Sequence, residues 1–419
     1  MKRLSSSLML FSAIVTPLAL RAAVKKRTIV VAVALLALAS FAREETWVCL
    51  GDSITHGGSL TGYLQLFWNL RHPGSEVVFL NHGQSGGTAE SGIRMLEEDV
   101  LKLDPARVLV MFGMNDVWRE QWEHAEPGEK EARLRGDAIR RYTERMIRIA
   151  DLLGERMVVL TPTPYDQYAD IPNCRATPFC NDPGLATCRE IVSGLAAARR
   201  LRLIDLHRPM TMALQTHPEV RYAGDRVHPS AWGHIVMTAL VAQGLGEPPD
   251  VATTEMTAGK EGLSFDYAPK ALPFPLSPEY LAAEAFYPIT ELFNRELLVV
   301  KGLREGDWEL RMDGRLVGTF SGAELAKGVN LALLDTPNQR LAQEAFVKAT
   351  RLNQIYVILR DCRMGAWEKP DAKGYGAHLR EVFDTWNARR GELEAEAEKI
   401  RADLRAIHPA KCRVTVSRE

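Results

Sequence analysis

Five residues of this chain, Ser53, Gly86, Asn115, Asp225 and His228, have types and settings that suit one hydrolytic reaction. They lie in four short segments far apart in sequence: Gly51-Asp52-Ser53-Ile54, Asn81-His82-Gly83-Gln84-Ser85-Gly86, Gly113-Met114-Asn115-Asp116 and Asp225-Arg226-Val227-His228. A serine hydroxyl is a weak nucleophile until a neighbouring base takes its proton. His228 has the chemistry for that step, and Asp225, three residues earlier on a turn, can orient the imidazole and stabilise its charged form. A tetrahedral intermediate then needs preorganised donors for its oxyanion. The backbone N–H groups of Ser53 and Gly86 and the side-chain amide of Asn115 are the candidates. Glycine at 86 lets the backbone approach a substrate with no Cβ in the way. The expected reaction is two-step acyl transfer through an acyl-serine, slowing in acid as His228 becomes protonated.

These residues need a scaffold that brings four distant segments together. Short aliphatic runs at Trp47–Leu50, Glu76–Leu80, Arg107–Phe112, Met157–Leu160 and Leu201–Leu206 read as strands. Their near-continuous apolar character suits a parallel sheet covered on both faces. Helical patterns fill the gaps: Leu60–Leu70, Glu90–Leu103, Glu129–Leu153, Thr187–Arg200 and a last one opened by Pro229 and running to Leu245. Strand–helix alternation predicts a three-layer α/β domain with function at the carboxyl ends of the strands. Ser53, Gly86 and Asn115 each follow a predicted strand.

Taken in order, the four segments resemble the blocks of the SGNH (GDSL-type) hydrolase family. Gly51-Asp52-Ser53 is similar to its nucleophile block, Asn81 to Gly86 to its second block, Gly113-x-Asn115-Asp116 to its third, and Asp225-x-x-His228 to its last. Ile54 stands where many members carry Leu. The resemblance covers residues 45–245, about half of the chain. It implies a flavodoxin-like α/β/α fold with a central parallel sheet. It also implies a carboxyl esterase with Ser53, Asp225 and His228 as catalytic residues, Ser53, Gly86 and Asn115 as oxyanion donors, and no metal or organic cofactor. The family's substrates include acetylated sugars, lysophospholipids and acyl thioesters. Apparent export and the aromatic residues Trp68, Trp118, Trp122 and Trp232 favour carbohydrate deacetylation, with a lysophospholipase or short-chain esterase as the alternative.

Competing assignments exist within the same residues. Gly83-Gln84-Ser85-Gly86-Gly87 fits a G-x-S-x-G elbow, and with Asp205 and His228 it gives the order Ser, Asp, His. That reading leaves Ser53 and Asn115 without roles and places too few strands before its serine. Asp52 can be no more than a cap for the following turn, and Asn115-Asp116 no more than a helix-entry pair. A metal site at Asp52, His56 and His82 lacks the spacing that would set its geometry. A catalytically silent carbohydrate-binding or scaffolding protein is a reading of another class, against which all the reactive residue types are present.

With 46% hydrophobic and 25% charged residues, the 419-residue chain is ordinary globular material, large enough for one domain and an appendage. A net charge of -1 argues against nucleic acid as a partner. Lys25-Lys26-Arg27, the apolar stretch Thr28 to Leu38 and the small residues of Ala39-Ser40-Phe41-Ala42 read as an export signal or N-terminal anchor over residues 1–42. A further apolar patch, Leu8 to Leu20, goes beyond what a simple signal needs and suggests translation starting further in, for example at Val24. The hydrolase domain is expected over 43–245, a proline-rich linker over 246–280, and an accessory region of short strands and two long helices over 281–419. Cys174, Cys180 and Cys188 cluster in a stretch where a local disulfide is expected if the chain is exported.

Overall fold

The computed structural model describes residues 45–276, 278–281, 284–364 and 376–418. The expected leader or anchor, residues 1–42, lies outside them. Five parallel strands form the first sheet: β1 (Glu45–Gly51), β2 (Val77–Gly83), β3 (Arg107–Met111), β4 (Met157–Leu160) and β5 (Arg202–Ile204), in the order β2-β1-β3-β4-β5. All of β4, and β3 beyond Arg107, are buried. Helices cover both faces: α1 (Ser53–His56), α2 (Ser59–Arg71), α3 (Ala89–Glu98), α4 (Glu129–Leu153), α5 (Ala186–Arg199), α6 (His207–Thr216) and α7 (Ala231–Leu245). In α4 the buried residues Ala138, Tyr142, Met146, Ile149 and Leu153 recur every three or four positions, which turns one stripe to the sheet. This is the three-layer α/β/α architecture the alternation predicts.

Several boundaries differ from expectation: the helix read over Glu90–Leu103 ends at Glu98, with a short 3-10 turn after it. Pro229 does not open α7; it pairs with Ala223 in an isolated bridge, and Ser230 caps the helix by accepting from Gly233 N at 3.4 Å. Helix α6 follows β5 after only two residues, so its start is hidden behind what reads as a longer strand.

Residues 246–280, read as a linker on their prolines, instead contribute β6 (Asp250–Thr257) and β7 (Leu263–Tyr267), followed by a buried extended stretch around Leu272 and Phe274. The remaining strands are β8 (Arg295–Lys301), β9 (Asp307–Met312), β10 (Arg315–Ser321), β11 (Val329–Asn330) and β12 (Cys412–Ser417). They build two further sheets, β10-β9-β12-β7 and β11-β8-β6. The partner of β7 is β12, the last strand described, and β6 runs parallel to β8. Such distant pairings leave no local signature, and the threonines and charges of β6 look like loop residues. The β9–β10 hairpin turns at Asp313 and Gly314, with φ of 48° and 78°, the left-handed pair a two-residue type I′ turn requires. Trp308, Leu310, Val414 and Val416 centre a small core between these sheets.

Among the described residues three long helices lie between β11 and β12: α8 (Pro337–Met364), α9 (Gly376–Ala388) and α10 (Arg390–Arg405). Two long helices are expected in this region, and the second is divided at Arg389 into α9 and α10. Helix α8 covers the outer side of α2, where Tyr63 stacks on Phe346 with centroids 6.0 Å apart. Trp232 at the start of α7 packs edge-on against Phe286 at 4.9 Å. Nearly every residue of α2 is therefore buried, and one continuous core joins the sheet domain to the C-terminal helices. Fully burying a side chain such as that of Phe286 is worth about 1.5–3 kcal/mol, so the C-terminal region adds to the stability of the sheet domain.

The expected cysteine staple is not formed, and all six cysteines are free. Cys180 and Cys188 are fully buried core residues, and burial pushes the Cys180 thiol up to about 12.

Candidate active site

Loops at the carboxyl ends of β1, β2 and β3 assemble the site, at the point where strand order reverses around β1. Ser53 is the first residue of α1. The carboxylate of Asp52 caps that helix, accepting from Ile54 N at 2.9 Å, so the capping role considered for Asp52 is real. The Ser53 N–H belongs to the first helical turn, whose donors have no partner within the helix. Gly83, at the end of β2, lies so close beneath α1 that a Cβ there would sit 2.1 Å from His56 N.

Asp225 and His228 lie on the loop before α7. His228 Nδ1–H donates to Asp225 Oδ2 at 2.6 Å, and Ser53 Oγ–H donates to His228 Nε2 at 2.7 Å. A carboxylate only accepts, so Asp225 keeps the ring proton on Nδ1 and leaves Nε2 free to take one. Partial burial works to raise the Asp225 carboxyl, but bonds from the backbone N–H and ring of His228 and from Val227 N outweigh it, and the net shift is downward. Asp225 thus holds its negative charge to lower pH than an ordinary carboxyl. The side chains of His228 and Asp225 are 48% and 55% exposed, so the site opens directly to solvent.

Gly86 is the third residue of a turn in which Gly87 N–H donates to Gln84 O at 2.9 Å. Its φ of 69° is what a type II turn demands at that place, and glycine supplies it without strain. Nothing lies within 4 Å of where a Cβ would be, so the space above this turn is open to a ligand. Asn115 Nδ2 donates to Gly87 O at 2.9 Å, which fastens its amide to the Gly86 turn and leaves the second N–H of that group available. Asp116 does not cap a helix of its own; its carboxylate accepts from Ala89 N at 2.9 Å, at the start of α3, and from Gly113 N at 3.1 Å. Burial pushes Asp116 up to about 6 and Asp52, the residue before Ser53, up to about 7.

The elbow reading fares differently. Ser85 is exposed on the Gly86 turn, and Asp205 is engaged elsewhere, with Thr161 Oγ1 at 3.0 Å and Arg189 Nε at 2.8 Å. The histidine it would need is bonded to Ser53. Of the four tryptophans, Trp122 is buried beneath Arg135, Trp68 packs on Trp47, and Trp232 packs on Tyr222 and Phe286. Trp118, on the same turn as Asn115, is partly exposed with Arg141 over its ring.

With this geometry in view, comparison with known proteins is informative. Residues 49–236 match the GDSL-like lipase/acylhydrolase family. This part of the chain belongs to that family. The chain is 25% identical over 217 residues to an acetylxylan esterase from Geobacillus stearothermophilus, a match covering 48% of this chain and 94% of the esterase. A solved gut microbial diltiazem-metabolizing enzyme is similar over a longer span, covering 90% of this chain and 98% of its own with a TM-score of 0.74 at 24% identity. That likeness is one of fold, and it extends beyond the GDSL-like domain into the C-terminal sheets and helices. The chain is a carboxylic ester hydrolase.

Three arginines around the GDSL-like site escape sequence reasoning. Arg119 Nη1 donates to Asn115 Oδ1 at 2.9 Å and to Met114 O at 2.7 Å, which fixes which end of the Asn115 amide faces outward. Arg226, between Asp225 and His228, is buried at φ 70° and donates to Asp166 O, Ala169 O and Cys174 O at 2.6–2.9 Å. It ties the Asp–His loop to the long loop after β4. The third is Arg360. Only the spacing of Arg119, four residues after Asn115, offers any signal in the sequence.

Proposed function

We propose that this protein is a serine esterase that removes short acyl groups, acetyl foremost, from carbohydrate hydroxyls. The observation that carries the mechanism is the chain of hydrogen bonds from Ser53 Oγ through His228 to Asp225, at 2.7 and 2.6 Å. In this reading Ser53 attacks the ester carbonyl as His228 accepts its proton. Ser53 N–H, Gly86 N–H and the free N–H of Asn115 receive the oxyanion, and each such donor is typically worth about 10²–10³ in rate. His228 then protonates the leaving alcohol. Water, deprotonated by the same nitrogen, releases the acyl group from Ser53.

Three features support a sugar as the alcohol. The exposed Asp225–His228 pair leaves room for a bulky leaving group. A cavity of about 240 Å³, lined by Thr88, Glu90, Trp118 and Arg141 among others, adjoins the Asn115 turn with polar groups and one indole face. The acetylxylan esterase relative points the same way. Export belongs to this reading, since polymeric carbohydrate lies outside the cytoplasm, and Lys25-Lys26-Arg27 with the apolar run after it supports that placement.

A panel of substrates tests the proposal: acetylated xylo-oligosaccharides, aryl esters of increasing acyl length, and a lysophospholipid. The expected result is turnover of the acetylated sugar, with kcat/KM falling at least about tenfold from acetyl to butyryl as the acyl site rejects extra methylenes. Rates that climb with acyl length, or a lysophospholipid preferred to every acetyl ester, would overturn the carbohydrate reading. Inertness toward the whole panel would favour a silent binding protein.

A further inference from the structure

We propose that Arg360, on the C-terminal helix α8, is a positioning residue for the nucleophile, so that the region beyond the GDSL-like domain takes part in catalysis. The proposal rests on the reading of Ser53 as the nucleophile.

Helix α1 has four residues, too few to hold itself in place. Its first turn is pinned by Asp52. Its other end is pinned by Asn81 of β2, whose Nδ2 donates to Thr55 O at 2.8 Å and, at 3.5 Å, to His56 O. These are carbonyls of the helix's last turn, and Thr55 O also accepts from Gly58 N at 3.0 Å. An amide can be turned over, and the reversed form would put a carbonyl oxygen against these two carbonyls. Two donors prevent that by claiming Asn81 Oδ1: Gly83 N at 2.9 Å and Arg360 Nη1 at 2.8 Å. Arginine has no acceptor, so its approach allows only one amide orientation.

Arg360 is 1% exposed and about 280 residues distant in sequence from Asn81. Its Nε and Nη2 both donate to Asp361 Oδ1, at 2.9 and 2.7 Å. Burying a guanidinium carries a large desolvation cost, and an apolar side chain of the same volume is often the more stable choice. A buried arginine aimed at one amide oxygen is therefore poorly explained by stability and well explained by orientation. The same helix places Asn353 against Gly58 and Gly62, where α1 turns into α2; Cβ atoms on these glycines would meet it at 2.5 and 3.2 Å. Helix α8 thus braces the nucleophile turn from two sides, through Asn81 and through the α1–α2 corner. Displacing a reacting group by about 1 Å costs on the order of 10²-fold in rate.

The experiment uses the full chain with Arg360→Met and Arg360→Lys, and Ser53→Ala as a control. It reads kcat and KM on an aryl acetate, the rate at which a fluorophosphonate labels Ser53, and the thermal midpoint. Arg360→Met is expected to lower both kcat and the labelling rate by roughly 10- to 100-fold with KM within about twofold. Arg360→Lys, which keeps a donor for Asn81 Oδ1, falls between it and the wild type. A lowered midpoint with wild-type kcat and labelling in the folded protein would show a purely structural arginine and overturn the proposal. If Arg360→Met does not fold, Arg360→Lys decides alone: labelling slowed at least about threefold supports positioning, and the wild-type rate refutes it. Activity that survives Ser53→Ala would instead remove the nucleophile assignment itself, a failure separate from that of Arg360.

Discussion

Ser53→Ala lowers kcat for ester hydrolysis by roughly 10⁶-fold, His228→Ala by about as much, and the double variant by little more than either. The near-equality follows from the geometry. Ser53 Oγ has one base within reach, His228 Nε2 at 2.7 Å, and each is useless for acyl transfer without the other. In the proposed mechanism the donor cluster of Ser53 N–H, Gly86 and Asn115 survives, to stabilise an oxyanion formed by attack of water. Substrate affinity changes little, because neither atom carries binding of the alcohol. Steady-state kinetics of the three variants check this, and losses that multiply in the double variant would mean that Ser53 and His228 act independently.

Asp225→Asn is the second large effect, expected at about 10⁴-fold in kcat with the fold and KM preserved. The substitution keeps the shape of the side chain but turns a group that only accepts into one that also donates. An Asn amide facing Nδ1 favours the tautomer with the proton on Nε2, and that nitrogen can then no longer accept from Ser53. Asp225 also holds its own loop, accepting from His228 N at 2.8 Å and Val227 N at 3.1 Å, and an Asn oxygen can keep both bonds. Against the upward push of partial burial, bonds from His228 and Val227 N hold the wild-type Asp225 carboxyl below its ordinary value, so the negative charge that Asp225→Asn removes is present in the wild type. A rate within tenfold of wild type across the pH range would leave Asp225 no orienting role.

Much of this site is legible in the sequence because its parts obey local rules. The strands before Ser53, Gly86 and Asn115 are short aliphatic runs in a parallel sheet buried on both faces, and the helix over 129–153 declares itself by the spacing of its apolar stripe. Asp225 and His228 are three residues apart and need only one loop to meet. What the sequence hides are contacts between distant segments. The linker reading of 246–280 fails because β7 finds its partner in β12, about 150 residues later, and a strand pair of that separation has no periodic signature. Arg226 and Arg360 look like ordinary surface cations until the carbonyls and amide they serve are folded around them. The meaning of Asn81 is likewise a matter of place: in sequence it is one polar residue in a strand, and in the fold it holds the end of the short helix that begins at Ser53.

The central claim is that Ser53, activated by His228, becomes the acylated residue. Peptide mapping by mass spectrometry after reaction with a fluorophosphonate tests it most directly, run in parallel on the wild type and His228→Ala. A single adduct on the peptide containing Ser53, with loss of esterase activity in step with labelling and far slower labelling of His228→Ala, is the predicted outcome. An adduct on Ser85, or full ester hydrolysis with Ser53 unmodified, would contradict it.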